Sequence, residues 1–477
     1  MGCGASSAAA TGAAPSAKND PFTKDLKEFV GKLLMEENYA QNLLEELKTK
    51  ENPTNQVEIL LKIILSIIDS VSSTTPPRNE MPEFIAGVLV TFLYHLTVKH
   101  AAPAKAVDLK ALQDPAAGTA YHVDAKWADS VYDKEAAADP KAALVEALAK
   151  EPCSIKVAAA DILHFRPTSA LARPAVAVAL DRERQLILVV VRGTANVKDA
   201  ITDAAGASAP WMDGYAHEAI AMSARNVFEE VRDQVLALKR ENPAFGVRTV
   251  GHSLGGGTAG LLALAMHRDA EFCSAVYGTV PVPGKKSKGT YRITAVGFGS
   301  AAALNKELTE EVHPYVTTVV HDADLVPRLC LANISDFVAL ADAMVDTFKA
   351  VAEDVKKLIN GETPEGYDGM KVMKMISKAA KDPAGLVKDL IDEKLDAAAD
   401  KAEDAREGDE TRLYAPGRLL FLAKPEGGGA SKAYAISKGS MATGASKILL
   451  KGSMLKDHGM ANYAHVLLTG EVLPPPP

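Results

Sequence analysis

One short run governs what the rest of this chain can be. Gly251-His252-Ser253-Leu254-Gly255 stands between an apolar stretch, Val247–Val250, and a run of small and apolar residues, Leu254–Met266. The first reads as a short buried strand and the second as a helix, so the five residues form a G-x-S-x-G turn in a strand–turn–helix setting. A turn this sharp brings neighbouring backbone close and leaves no room for a Cβ, which explains the flanking glycines. It also lifts Ser253 into an exposed position at the helix N-terminus, and the backbone N–H of Leu254 points into the same space, where it can bind a developing oxyanion.

The segments around this turn repeat one theme. Pro174–Leu180 and Gln185–Val191 read as paired strands joined by a turn at Asp181–Arg184, and His217–Arg240 as a helix. Ile293–Phe298, Val316–Val320, Arg418–Ala423 and Ile448–Leu450 supply further strands. Buried strands alternating with helices predict an α/β domain with a mostly parallel sheet covered on both faces. At 477 residues there is room for such a domain, expected over 106–470, and for more besides. Residues 20–105 carry a helical period (Phe29-Val30, Leu33-Leu34, Leu60-Leu61, Ile64, Ile67-Ile68). Residues 337–410, from Phe337 to Glu410, read as a solvated helical insertion between two sheet strands, rich in Ala, Asp, Glu and Lys. The Pro-rich end, 471–477, reads as extended.

A serine nucleophile needs a base, and the base an orienting acid. In sheets of this kind the chain order is Ser, then Asp or Glu, then His. Two histidines follow far enough downstream, His458 and His465. His458 stands in the loop Met454–Gly459, whereas His465 falls in an apolar run and reads as structural. The strand Val316–Val320 ends in His321-Asp322-Ala323-Asp324, and either aspartate qualifies by position. His252 is expected to face away from the top of the sheet as a packing residue. The most apolar strand ends in Val191-Arg192-Gly193-Thr194, which places Thr194, with its N–H and hydroxyl, as a second oxyanion donor.

The N-terminus carries a different kind of signal. Met1-Gly2-Cys3-Gly4-Ala5-Ser6 fits N-myristoylation at Gly2, and Cys3 beside it is suited to palmitoylation. One acyl chain binds membranes only marginally, and Lys18 is the only basic residue before position 20, so Cys3 must supply the second chain. Residues 1–19 then form a disordered lipidated anchor holding the protein at the cytoplasmic face of a membrane. No apolar stretch reaches the length of a spanning helix. Lys+Arg 53 against Asp+Glu 61 gives a net charge of −8, which argues against nucleic acid as a partner. The four cysteines are scattered without metal-binding spacing, so a reducing compartment and no metal are expected.

Taken together, these stretches resemble the class 3 lipases, and within them the sn-1-specific diacylglycerol lipases. The resemblance rests on Pro174–Asp203, Asp213–His217, Gly251–Thr258, Gly297–Ser300, His321–Leu329, Tyr414–Arg418 and Gly452–His458, in the family's order. It implies an α/β-hydrolase fold, with Ser253 as nucleophile, Asp324 as acid, His458 as base and Thr194 in the oxyanion hole. It further implies a lid at Ala204–Trp211, no cofactor, and a membrane glycerolipid as substrate, most closely diacylglycerol. Phospholipase A1, galactolipase and triacylglycerol lipase activities occur in the same family. A carboxylesterase or thioesterase, and a non-catalytic membrane-associated scaffold, are the competing readings. The animal relatives carry transmembrane helices ahead of the catalytic domain; here a lipidation motif stands in their place.

Overall fold

The computed structural model describes residues 109–111, 115–151, 153–194, 203–278, 291–337, 412–423, 432–436 and 454–468, with Asn42, Leu43, Glu46 and Leu61. The lipidation motif, the rest of the helical region at 20–105, the insertion from 338 onward, the strand expected at Ile448–Leu450 and the Pro-rich end lie outside the described residues.

Alternation along the apolar strands explains why the sheet is covered twice. In β3 (Val176–Asp181) and β4 (Leu186–Val191), Val176, Val178, Ile187, Val189 and Val191 face one core, while Ala177, Ala179, Leu188 and Val190 face the other. A strand apolar on both sides must lie between two layers. Ahead of these strands come β1 (Leu109–Ala111), α1 (Pro115–Ser130), α2 (Pro140–Ala149) and β2 (Ile162–Arg166). After them come the hairpin β5 (Ser208–Trp211) and β6 (Gly214–His217), then α3 (Glu218–Glu241), β7 (Gly246–His252) and α4 (Leu254–Arg268). The chain continues through α5 (Ala270–Tyr277), β8 (Ile293–Phe298), α6 (Lys306–Val312) and β9 (Val316–His321). It closes with β10 (Arg418–Ala423), β11 (Lys432–Ile436), α7 (Met454–Asp457) and α8 (Met460–Leu468).

The nine-stranded sheet runs β1-β11-β10-β9-β8-β7-β4-β3-β2. Its centre, from β4 through β7, β8 and β9 to β10, is parallel, and antiparallel strands close both edges. Residues of α3, α4 and α5 fill one core; residues of α1, α2 and α8 fill the other. This is an α/β-hydrolase architecture: a mostly parallel sheet between helices, with the G-x-S-x-G turn at the end of a central strand. The four loops that carry chemistry leave the carboxyl ends of β4, β7, β9 and the segment before α8, so they meet at one end of the sheet.

The expected pairing of β3 with β4 and the helix at α3 match to within a residue or two. The stretch expected as a lid, Ala204–Trp211, packs against the body and forms one arm of a hairpin. Ala204, Ala205 and Trp211 are buried, and Ser208–Trp211 pairs antiparallel with Gly214–His217. The reason lies in the side chains. A stretch of Ala, Gly, Ser and Pro offers no large apolar face to a lipid, and its single aromatic ring packs under the Arg225 guanidinium, 5.6 Å from the ring centre. Among the described residues, no helix is long and apolar enough to cross a membrane.

Candidate functional site

The elbow is built by backbone crowding. A Cβ on Gly251 would lie 2.2 Å from the carbonyl oxygen of Gly255, and one on Gly255 2.4 Å from that of Val191. Neither distance is tolerable, so both positions demand glycine. Ser253 between them takes φ 60° and ψ −129°, a conformation L-residues avoid and one that functional sites hold by the force of their surroundings. Here the Ser253 N–H donates to the Phe298 carbonyl at 2.9 Å, and the Ser253 carbonyl accepts from Gly256, Gly257 and Ala301. The Leu254 N–H, at the first position of α4, has no intrahelical acceptor, and the helix N-terminus adds its partial positive charge there.

Three loops converge on that serine. Ser253 Oγ lies 3.0 Å from His458 Nε2, and His458 Nδ1 lies 3.0 and 3.1 Å from the two carboxylate oxygens of Asp324. An ionised carboxylate only accepts, so Nδ1 carries the proton and Nε2 is left to accept from the serine hydroxyl. All three side chains are buried, and the exposed position expected for Ser253 is corrected: it has 0% of its surface exposed, because the loops that carry His458 and Asp324 close over it. Burial acts to raise the Asp324 pKa. The charge of His458 and hydrogen bonds from His458, from the Tyr463 hydroxyl and from the Val326 N–H outweigh it, and hold the carboxyl below its ordinary range. Of the two aspartates that position left open, Asp324 is the one that meets His458. Asp322, at φ 41°, instead gives its carbonyl to Arg328 at 3.0 Å.

The acid loop is held from beneath by a fully buried arginine. Arg328 donates to the Asp324 carbonyl at 3.0 Å as well as to Asp322, and stacks 5.4 Å from the centre of the Phe421 ring. Burial brings its pKa down to about 10, which leaves it charged at neutral pH. Asp457, next to His458, accepts the Ala323 N–H at 3.3 Å and so ties the base loop to the acid loop.

His252 is not turned away from the site. Its ring stacks on that of His458 with centroids 4.6 Å apart, its Nε2 lies 2.8 Å from the His458 carbonyl, and its Nδ1 lies 3.0 Å from the Tyr132 hydroxyl. A carbonyl only accepts, so Nε2 must carry the proton. Nδ1 then accepts from Tyr132, whose oxygen in turn accepts the Gly193 N–H at 3.1 Å. One directed chain, Gly193 to Tyr132 to His252 to His458, therefore joins the loop after β4 to the base. Burial, then the neighbouring His458, push the His252 pKa down to about 3, so the ring stays neutral. The packing role expected for His252 gives way to a positioning one. Tyr132 could not be found by spacing, because it precedes the elbow by more than a hundred residues and belongs to no motif.

Thr194 lies beside this chain. Its hydroxyl donates to Asp203 at 3.1 Å, so of the two donors expected from it, the backbone N–H is the one left for an anion. A buried serine hydroxyl within hydrogen-bond reach of an imidazole that is oriented by a carboxylate, with backbone N–H groups nearby, can carry out acyl transfer. Among the described residues, no group of acidic, His and Cys side chains is placed to hold a metal.

Residues 188–334 match the family model for lipase (class 3). Diacylglycerol lipase-beta of Mus musculus is 29% identical over 169 residues, which cover 33% of this chain and 22% of that protein. Diacylglycerol lipase-alpha of Homo sapiens is 26% identical over 192 residues, 38% of this chain and 17% of that protein. The chain thus spans about a fifth of the length of these curated relatives. Among solved structures, the triacylglyceride lipase of Rhizomucor miehei aligns with a TM-score of 0.35 at 18% identity, over 46% of this chain and 77% of that one. The lipase of Rhizopus microsporus gives 0.36 at 18%, over 46% and 70%. The matched span begins in β4, takes in the elbow and ends just beyond the acid loop, so over that span the chain is similar to the class 3 lipases and to the diacylglycerol lipases.

Proposed function

We propose that this protein is a membrane-anchored serine lipase that hydrolyses an acyl ester of a glycerolipid, diacylglycerol to monoacylglycerol and fatty acid. The observation that carries the reading is the 3.0 Å approach of Ser253 Oγ to a His458 ring already oriented by Asp324. His458 Nε2 takes the serine proton as Oγ attacks the ester carbonyl; the Leu254 and Thr194 N–H groups hold the oxyanion. The imidazolium, steadied by Asp324, then protonates the leaving glycerol oxygen, and water repeats the cycle on the acyl-enzyme. Acylation of Gly2 and Cys3 would keep the enzyme at the membrane that holds its substrate.

Fatty-acid release from diacylglycerols, phospholipids, galactolipids and triacylglycerols, compared between the parent and Ser253→Ala, tests this. Release from diacylglycerol above the other lipids, absent in the alanine protein, is the expected result. Release from another class would keep the mechanism and change the substrate. Equal activity of Ser253→Ala would remove the nucleophile and the proposal with it. Exchange of Gly2 or Cys3 for Ala should lower the membrane-bound fraction of the protein in cells.

A further inference from the structure

The same end of the sheet carries an exposed apolar point that the chemistry does not use. Between β2 and β3 the chain makes a two-residue turn: Ala170 and Arg173 exchange backbone hydrogen bonds at 3.0 and 2.9 Å, with Leu171 and Ala172 at the tip. Leu171 is 94% exposed. Single exposed leucines are common, but this one is on a rigid mount. The Arg166 guanidinium donates to the carbonyls of Thr168, Arg173 and Pro174, and so grips both arms of the turn. Asn226 of α3 donates to the Ala172 carbonyl at 2.7 Å, and Ser169 Oγ accepts from both the Ala175 N–H and Arg192. One helical turn before Asn226, on the same face of α3, stands Met222, 45% exposed.

Position and charge say what this point is for. Val176 pairs with Val191, and Val191 with Gly251, so the turn projects from the sheet end that carries Ser253, two strands and roughly 10 Å to the side. Arg192, which anchors Ser169, directly precedes Gly193 and Thr194. Three guanidinium groups, Arg166, Arg173 and Arg192, surround the base of the turn against the carboxylates of Glu230 and Glu135, and Arg173 is 57% exposed on its side chain. In a chain of net charge −8 this is a local excess of positive charge. Arg166 and Arg192 are held inward at 24% and 7% exposure, so the tip with Arg173 beside it is what matches the layering of a lipid surface, hydrocarbon within and phosphate at the rim.

We propose that Leu171, with Met222 beside it, inserts into a phospholipid surface bearing anionic headgroups, while Arg173 meets the phosphates, and so sets the Ser253 end of the sheet against the bilayer. The proposal rests on the lipase reading for its purpose, but its test does not depend on turnover. In the full chain carrying Gly2→Ala, so that no myristoyl chain contributes, binding to phosphatidylcholine vesicles with about 30 mol% phosphatidylserine is measured by sedimentation. Leu171→Asp should weaken partitioning by about tenfold or more, since it exchanges a buried apolar side chain for a charge. Arg173→Glu should weaken binding to the anionic vesicles and leave the weaker binding to pure phosphatidylcholine unchanged. Leu171→Trp should show a blue-shifted emission with vesicles and quenching by brominated acyl chains.

Labelling of Ser253 by a small fluorophosphonate without vesicles should stay within about twofold of the parent in all three variants, as expected for surface changes away from the site. Equal partitioning of Leu171→Asp and parent, or a Leu171→Trp emission indifferent to vesicles, overturns the proposal and leaves a protein partner as the reading of this turn. Failure of the parent to label at Ser253 would count against the hydrolase while the vesicle measurements still decide the wedge.

Discussion

Ser253 and Ala172 are two residues in left-handed backbone at the same end of one sheet, with φ of 60° and 51°, and the molecule treats them in opposite ways. Around Ser253 everything converges: two glycines that admit no Cβ, hydrogen bonds from three backbone N–H groups to its carbonyl, and an imidazole on its hydroxyl. Ala172 is held at its carbonyl by one asparagine, and the leucine before it faces solvent. Strain of this kind costs about 1–2 kcal/mol per residue. In the first case the fold spends it to set a serine hydroxyl against an imidazole inside the protein, in the second to hold an apolar side chain outside it. What differs is how many partners fail when one is removed, and that difference ranks the expected effects.

The largest effects belong to the buried side. Asp324→Asn should lower ester hydrolysis by about 10³–10⁴-fold, because an amide donates where a carboxylate accepts and turns His458 to the wrong tautomer. Asp322→Asn should stay within about tenfold, since Asp324 and not Asp322 meets the His458 ring, and the Asp322 carbonyl that accepts from Arg328 is kept. Kinetics on the two variants with one ester substrate would check this. If the two fall together, the whole loop rather than one carboxylate carries the effect, and the contrast drawn for Ser253 loses its sharpness.

Tyr132→Phe probes the chain that runs from Gly193 to His458. It removes the donor to His252 Nδ1 and leaves the Gly193 N–H without its acceptor, at a cost of about 1–3 kcal/mol. We expect kcat to fall by about 10–100-fold with little change in KM, because the bonds lost orient the base and the oxyanion loop and do not touch substrate. A rise in KM at constant kcat would place Tyr132 in substrate binding instead.

Acid stability separates the buried region by a different route. His252 holds its pKa at about 3 when folded, against about 6.5 in an unfolded chain. Between those values the unfolded chain binds a proton that the folded one refuses, so stability is full above pH 6.5 and falls as pH drops. The slope approaches about 1.4 kcal/mol per pH unit for one such histidine. His267, buried and pushed down to about 4, acts with the same sign, and Asp324 adds to it below the ordinary carboxylate range. Denaturant midpoints measured from pH 7 to pH 4.5 should decline, and His252→Gln, which cannot titrate, should flatten the decline by about one proton's worth. An unchanged slope would mean that His252 is protonated in the folded state.

How much of this was legible in the sequence depends on distance along the chain. The elbow, β3 with β4 and the long helix α3 are local patterns, and the residues proposed as nucleophile, acid and base follow from chain order once a family resemblance chooses between Asp322 and Asp324. The parts that stayed hidden are set by tertiary packing. Tyr132 and Tyr463 stand in no motif and reach the site from more than a hundred residues away, Arg328 stands in the stretch His321–Leu329 but its burial beneath the loop is set by the fold, and the orientation of His252 depends on a carbonyl 206 residues away. The edge strands β2 and β11 lacked the continuous apolar run that marked the central ones. The packing of the stretch Ala204–Trp211 was hidden too, because its small residues carry no period and only the three-dimensional neighbours of Trp211 decide what they pack against.

The smallest expected effect returns to the comparison at its exposed end. Ala172→Gly removes the penalty of a left-handed alanine, about 1–2 kcal/mol, and adds the entropy of a freer unfolded chain, about 0.5–1 kcal/mol, so a net gain of about 0.5 kcal/mol is expected. Equilibrium denaturation resolves a change of that size through its midpoint. The same substitution at Ser253 would relieve a similar strain but delete the nucleophile, so backbone relief alone cannot explain why the two residues are not glycine. At position 172 the rest of the turn is held by Arg166 and Asn226, and vesicle partitioning of Ala172→Gly should therefore match the parent. A loss of partitioning in a more stable protein would show that the alanine itself keeps Leu171 pointed outward, and would bring the exposed turn closer to the elbow than its sparse contacts suggest.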